Sequence, residues 1–125
     1  MAFYSPDRKK LGRASEEAAA LFIRNNGLRI LVQNYRCRYG EIDIVARDGE
    51  CLVFVEVRSS RGNHFANPKE SIGTKKRRTL SKVALNYLKE KGLIESRSRF
   101  DVVTVIGLGA EARFEWMKNA FEAAY

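Results

Sequence analysis

The stretch GEIDIVARDGECLVFVEVR, residues 40–58, decides how this chain is read. Asp48-Gly49 lies between two runs rich in β-formers and signals a hairpin, so Tyr39–Arg47 and Cys51–Ser59 are expected to be strands. Alternation sets Glu41, Asp43, Val45 and Arg47 on one face and Ile42, Ile44 and Ala46 on the other. In the second strand Leu52, Phe54, Glu56 and Arg58 share a face opposite Val53, Val55 and Val57. A two-residue turn pairing Arg47 with Glu50 places Asp43 one diagonal step from Glu56. A four-residue loop pairs Asp43 with Glu56 directly. Either register holds both carboxylates within reach of one cation, whereas a three-residue loop would part them. Carboxylates set together in an apolar hairpin repel and lose solvation, so the pattern requires a neutralising metal or arginine. Oxygen ligands without histidine or thiolate suit Mg²⁺ or Mn²⁺. The other reading is a salt-bridge network in which Arg58 neutralises the carboxylates on a half-exposed sheet face.

Outward from the hairpin, the 125 residues suffice for one core, and a single domain over 1–125 is expected. Ser5-Pro6-Asp7 opens a helix that runs to Asn25 and ends at Asn26-Gly27. Glu16 shares a face of it with Ala19, Ala20 and Ile23 and leans toward the sheet, while Glu17 lies four residues from Arg13 as a surface partner. Leu28–Tyr35 reads as a strand, and Arg61–Pro68 as a loop holding the lone His64, which has no partner in motif spacing. A second helix spans Ser71–Lys91, and Arg99–Gly107 is a further strand. Ala112–Trp116 reads as a short strand and Met117–Ala124 as a terminal helix. The long helix between the strands at 51–59 and 99–107 fits a crossover that makes them parallel, in a mixed sheet with helices on its faces. Asp101, beside Arg99, is expected to pair locally.

The formal charge is +8 with a pI near 9.8, which favours a polyanionic partner. Eight basic residues against two acidic ones between Lys69 and Lys91 concentrate +6 of it in 23 residues. The density peaks at Lys75, Lys76, Arg77 and Arg78, where cations oppose the helix dipole, so the cluster suits phosphate binding. Lys76 falls on the apolar stripe of Ile72, Leu80, Val83, Ala84 and Tyr87, and must either snorkel out or reach an anion at the sheet edge. No apolar run is long enough to span a bilayer, and the N-terminal residues carry no signal-peptide core. Cys37 and Cys51 lack metal-site spacing and read as small half-buried hydrophobes in a cytoplasmic chain. Gly107-x-Gly109 is a turn, too short for a dinucleotide fingerprint.

Asn34-Tyr35-Arg36, Gly40-Glu41-Ile42-Asp43 and Val53-Phe54-Val55-Glu56-Val57-Arg58 closely resemble the YraN-like family of small uncharacterised bacterial proteins. The resemblance continues through Glu70-Ser71-Ile72, Lys76, Arg78 and Arg99-Phe100-Asp101-Val102 to Asn119-Ala120-Phe121. That family is similar to the restriction-endonuclease-like PD-(D/E)xK superfamily, which includes archaeal Holliday-junction resolvases. The implied α/β fold is a three-layer α-β-α arrangement with a mixed central sheet. Its order is αβββαβ followed by a short strand and a terminal helix. The implied function is nuclease-like: phosphodiester hydrolysis with Mg²⁺ or Mn²⁺, on DNA more than RNA, with branched DNA and a homodimer as resolvase analogies. Asp43 and Glu56 would hold the metal, Glu16 would support it, and Arg58 would complete the catalytic set. Lys75, Lys76, Arg77, Arg78 and Arg36 would contact nucleic acid. The family opening, Gly-x-x-Gly-Glu, maps onto Gly12–Glu16 with Ser15 at the second glycine. The superfamily usually has lysine where Arg58 stands; arginine stays protonated and cannot act as general base. Two alternatives stand beside this reading: a non-catalytic nucleic-acid-binding module on the same fold, and a scaffold whose basic helix docks an acidic protein.

Overall fold

The computed structural model describes residues 6–60, 72–107 and 109–124, with side chains from Gly12 onward. The expected helix start at Ser5, the loop 61–68 with His64, and residues Lys69 to Ser71 lie outside the described residues. The elements are α1 (Pro6–Asn25), β1 (Arg29–Cys37), β2 (Gly40–Asp48), β3 (Cys51–Ser60), α2 (Thr74–Glu90), β4 (Ser98–Ile106), a 3₁₀ turn (Gly109–Glu111) and β5 (Arg113–Phe121). They form an α/β fold whose sheet runs β1-β2-β3-β4-β5. β3 and β4 are parallel, as the intervening helix implies, and every other neighbouring pair is antiparallel.

Two apolar clusters flank the sheet. Leu80, Val83, Ala84, Tyr87 and Leu88 of α2 pack on Leu52, Phe54, Phe100 and Val102. Ala19, Ala20 and Ile23 of α1 pack on Val53, Val55, Val103 and Val105. Alternate residues of β3 and β4 thus serve opposite faces. Each fully buried Val, Leu or Phe contributes about 1.5–3 kcal/mol. The small stripe of α1 lets that helix lie close: Ser15 is buried, and its hydroxyl meets Ser59 Oγ at 2.6 Å.

The expected terminal helix is absent, and β5 corrects it. Met117, Lys118 and Ala120 are good helix formers, yet residues 117–121 continue the strand begun at Arg113 and pair with β4. The physical cause is Asp101, fully buried in β4. Its carboxylate accepts from Arg99 Nε at 3.0 Å, Trp116 Nε1 at 2.9 Å and the Asn119 N–H at 2.9 Å. Asn119 takes a left-handed backbone (φ 53°), and the register shifts between Phe100 and Val102. That bulge brings Phe121 opposite Phe100, with ring centroids 4.6 Å apart. Packing and a satisfied buried charge override helix propensity here. The Ala124 N–H then donates to Ser81 Oγ on α2, at 2.8 Å.

Arg99 also bridges to Asp48 at 3.0 Å, tying the hairpin end to the start of β4. Asp101→Ala would leave the mostly buried Arg99 guanidinium, the Trp116 indole N–H and the Asn119 amide without their common acceptor. It is expected to cost about 3–5 kcal/mol in urea unfolding. A loss below about 1 kcal/mol would show that this network does not hold β5.

Candidate active site

The hairpin turns through Gly49 and Glu50, with Asp48 opposite Cys51 and Arg47 opposite Leu52. This register leads toward direct pairing of Asp43 with Glu56, and the ladder stops just short of it, at Ile44 and Val55. Beyond that point β2 pairs with β1 alone and β3 with β4 alone, out to Ser60 beside Ile106. The strands fork, and a carboxylate fills the opening: Asp43 Oδ2 accepts from the Val57 N–H at 2.8 Å.

A second irregularity lies beside the fork. The pairs Gln33–Ile44 and Tyr35–Ile42 bracket Asn34 and Asp43. Asn34 is left-handed (φ 56°), a conformation that asparagine tolerates better than most residues. The pleat slips there. Ile42 packs with Val45 in the α2 cluster, while Ile44 and Ala46 pack under α1. Strict alternation, which set Ile42 on the face of Ile44 and Ala46, is corrected by this slip. Sequence reading missed Asn34 as a site residue; an asparagine inside a β-rich run was the available signal.

The carboxyls of Asp43 and Glu56 are hydrogen-bonded to each other. Glu56, only 12% exposed, is pushed up to about 7. Burial is the main cause and the Asp43 charge the second, with Lys76 and Arg58 pulling the other way. Asp43 is also raised, by burial, against the pull of the Val57 N–H and its bond to Glu56. The two carboxyls therefore titrate as a pair that holds a proton between them above the ordinary carboxylate range.

Lys76 takes the second of its two courses. Its Nζ lies 3.5 Å from Glu56 Oε2, with the side chain about half exposed. Arg58, on β3, acts on Glu56 as a second cation. Glu16 approaches from α1 and is raised by burial and then by Asp43, while Asn34 hydrogen-bonds it and Arg36 draws it down. Glu16 stands off from the pair: among the described residues no three His, Cys, Asp or Glu side chains gather closely enough to hold a metal. A polar groove of about 450 Å³ opens beside it, lined by Gly12, Arg13, Glu16, Asn34, Arg36 and Glu41.

The basic residues divide. Lys75 and Arg78 are exposed near the start of α2, whose first turn carries no acidic residue. Arg77 turns inward: its Nε donates to the Ile72 carbonyl at 2.9 Å and its guanidinium lies 5.7 Å from the Phe121 ring centroid. Arg36 is exposed and ion-paired with Glu41.

The model of the uncharacterised protein family UPF0102 matches residues 15–105. The chain belongs to that family. This membership is the YraN-like kinship indicated by the motifs. A UPF0102 protein of Syntrophus aciditrophicus is 45% identical over 125 residues, covering all of this chain and 98% of the relative. One from Pelotomaculum thermopropionicum is 47% identical over 116 residues, covering 91% of this chain and 97% of the relative. Among solved structures, Pyrococcus furiosus SfsA in complex with Ca²⁺ matches with a TM-score of 0.40 at 14% identity, over 89% of this chain. The chain spans 63% of the length of that protein. No helix among the described residues of this UPF0102 member is long and apolar enough to cross a membrane.

The pair dictates a pH dependence. Between the ordinary glutamate value of 4.5 and about 7, the folded chain holds a proton that the unfolded chain has released. Stability should therefore fall as pH rises through that window, by something on the order of 3 kcal/mol. Asp43→Asn removes one charge, keeps an acceptor for the Val57 N–H, and should flatten the decline. Unfolding free energies measured from pH 4.5 to 8 check this; a flat wild-type profile would contradict a pair that shares a proton.

Proposed function

We propose that this UPF0102 protein binds nucleic acid, DNA in preference to RNA, and hydrolyses phosphodiester bonds with Mg²⁺ or Mn²⁺. One observation carries the reading. Asp43 and Glu56 meet at the strand fork, and Glu56 stays near 7 although Lys76 and Arg58 both act on it. Two desolvated carboxylates side by side are an oxygen-only donor set, which fits a hard divalent cation. The order α1-β1-β2-β3-α2-β4 supports a restriction-endonuclease-like fold, with β5 in place of the last two expected elements.

Asp43 and Glu56 would hold the ion, with Glu16 supporting from the α1 side. The bound ion would withdraw charge from the scissile phosphate and its attacking oxygen. Arg58 supplies a planar cation that stabilises charge building on the phosphoryl oxygens. Lys76 supplies the compact ammonium that the superfamily pattern expects at Arg58, delivered from α2 instead of from β3. Lys75 and Arg78 contact flanking phosphates, and Arg13 and Arg36 line the groove on the other side of the carboxylates. Such a substrate belongs to the cytoplasm, where the free, half-buried thiols of Cys37 and Cys51 stay reduced.

The Lys76–Glu56 ion pair also supports a second reading, a non-catalytic binding module whose carboxylates are held by a proton, Lys76 and Arg58. Cleavage assays on linear, flapped, single-stranded and four-way DNA, with and without Mn²⁺, separate the two. In the catalytic case Lys76→Ala and Arg58→Ala each lower the rate by about 10²–10³-fold, whereas Arg58→Lys retains activity. Mn²⁺ then also raises the melting temperature more at pH 8 than at pH 6, because it must displace the shared proton. Absence of both cleavage and a Mn²⁺ response leaves the binding module.

Binding itself should weaken with salt, log affinity falling by about 0.9 per log unit for each phosphate neutralised on duplex DNA. Neutralising Lys75 and Arg78 together should reduce that slope by about two such contacts. Arg77→Ala should instead lower stability, through its contacts with Ile72 and Phe121. An unchanged slope in the double variant would move the phosphate contacts away from α2.

A further inference from the structure

The turn between β1 and β2 sets an aromatic ring across a groove from the basic helix. Gly40 has a φ of 146°, and a Cβ there would meet Thr79 Cγ2 of α2 at 3.0 Å, so the turn fits only without a side chain. Tyr39 beside it is 40% exposed. Its ring lines a groove of about 340 Å³ whose other walls are Lys82, Leu85, Asn86 and Lys89 of α2. None of these described lining residues is acidic. Arg38 Nη2 donates to the Tyr39 hydroxyl at 2.6 Å, and its guanidinium carbon lies 4.8 Å from the ring centroid. Arg38 is not among the residues that line the groove. Asn86 is fixed from below, its Nδ2 donating to Tyr35 Oη at 2.7 Å.

We infer that this groove is a stacking subsite for an unpaired nucleobase. The inference rests on the nucleic-acid reading and deepens it by naming the substrate class, a strand with a single-stranded segment. A cation-backed ring offers its π-face to any base, and base–aromatic stacking tolerates sequence. Lys82 and Lys89 flank it as partners for the phosphates on either side. A blunt duplex keeps its base faces stacked on one another and cannot use the ring. The groove lies along the path from the carboxylates. Lys76 and Lys82 are about 9 Å apart along the helix axis, and Asp43 and Gly40, which follows Tyr39 in the turn, about 10 Å apart along β2. One strand leaving the Asp43–Glu56 site along α2 passes both.

The test compares affinities for single-stranded, overhanging and blunt-duplex DNA in wild type, Tyr39→Ala, Tyr39→Phe and Lys82→Gln/Lys89→Gln. A photo-crosslink from 5-iodouracil-substituted single strands, mapped by peptide mass spectrometry, accompanies it. Tyr39→Ala should weaken binding to the single-stranded and overhanging forms about tenfold or more, with the blunt duplex unchanged. Tyr39→Phe should retain affinity, the lysine variant should weaken single-strand binding, and the crosslink should map to Tyr39. Equal losses on all three DNAs, no loss on any, or a crosslink elsewhere would overturn the stacking subsite while leaving the nucleic-acid reading intact. If wild type binds no DNA form, both fall. Tyr39-dependent binding of polyglutamate without binding of single strands would overturn the subsite in favour of an acidic protein segment.

Discussion

The parting of β2 from β3 is the constraint around which this fold is arranged. Two strands that stayed paired would bury their backbone groups in a ladder and leave no room for polar side chains. Here the ladder ends at Ile44 and Val55, and the Val57 N–H is satisfied by the Asp43 carboxylate. A buried donor needs a partner, and a side chain that supplies it becomes as fixed as the backbone. Glu56, one residue before that amide, is thereby held against Asp43, and the cost of two desolvated carboxylates appears as the raised values of both. Asn34, left-handed across from Asp43, absorbs the accompanying slip in the pleat.

The electrostatics of α2 make sense in relation to that fork. Cations near a helix N-terminus oppose the dipole, and nothing acidic in the first turn offsets them. Lys76 recovers part of the cost through Glu56, and Arg77 through the Ile72 carbonyl and the Phe121 ring. Lys75 and Arg78 are exposed and find no such compensation among the described residues, which is the disposition expected of side chains that meet phosphate. The helix is thus both a wall of the α2-side core and a carrier of charge toward the carboxylates.

Asp101 supplies rigidity on the far side of the sheet. A buried carboxylate with Arg99, an indole N–H and a backbone amide around it is fully satisfied, and such a network specifies one arrangement of strands. It sets the bulge in β5 and the Phe100–Phe121 stack, while the link from Arg99 to Asp48 anchors the hairpin. Those contacts hold β3 in place, and Glu56 and Arg58 with it. In the sequence Asp101 and Asp43 look alike, each an acid followed by β-branched residues. Their surroundings divide them, one carboxylate closed off by donors and the other left beside a second acid.

Local pattern was enough for much of this. The Asp-Gly turn, the length of the crossover helix and the alternation of valines gave the hairpin, the parallel β3–β4 pair and the two helices, because each depends on neighbours in sequence. The even spacing of Asp43 and Glu56 about the turn likewise brought the carboxylates to one place in either register. The course of residues 117–121 was decided by a carboxylate eighteen positions earlier than Asn119, which helix propensity cannot register. The slip at Asn34, the commitment of Lys76 to Glu56 and of Arg77 to Phe121, and the placing of Tyr39 across a groove from α2 also join residues distant in sequence. Periodicity places a side chain on a face of its own element; which group it meets there is fixed only when the elements pack and each buried charge and amide finds its partner.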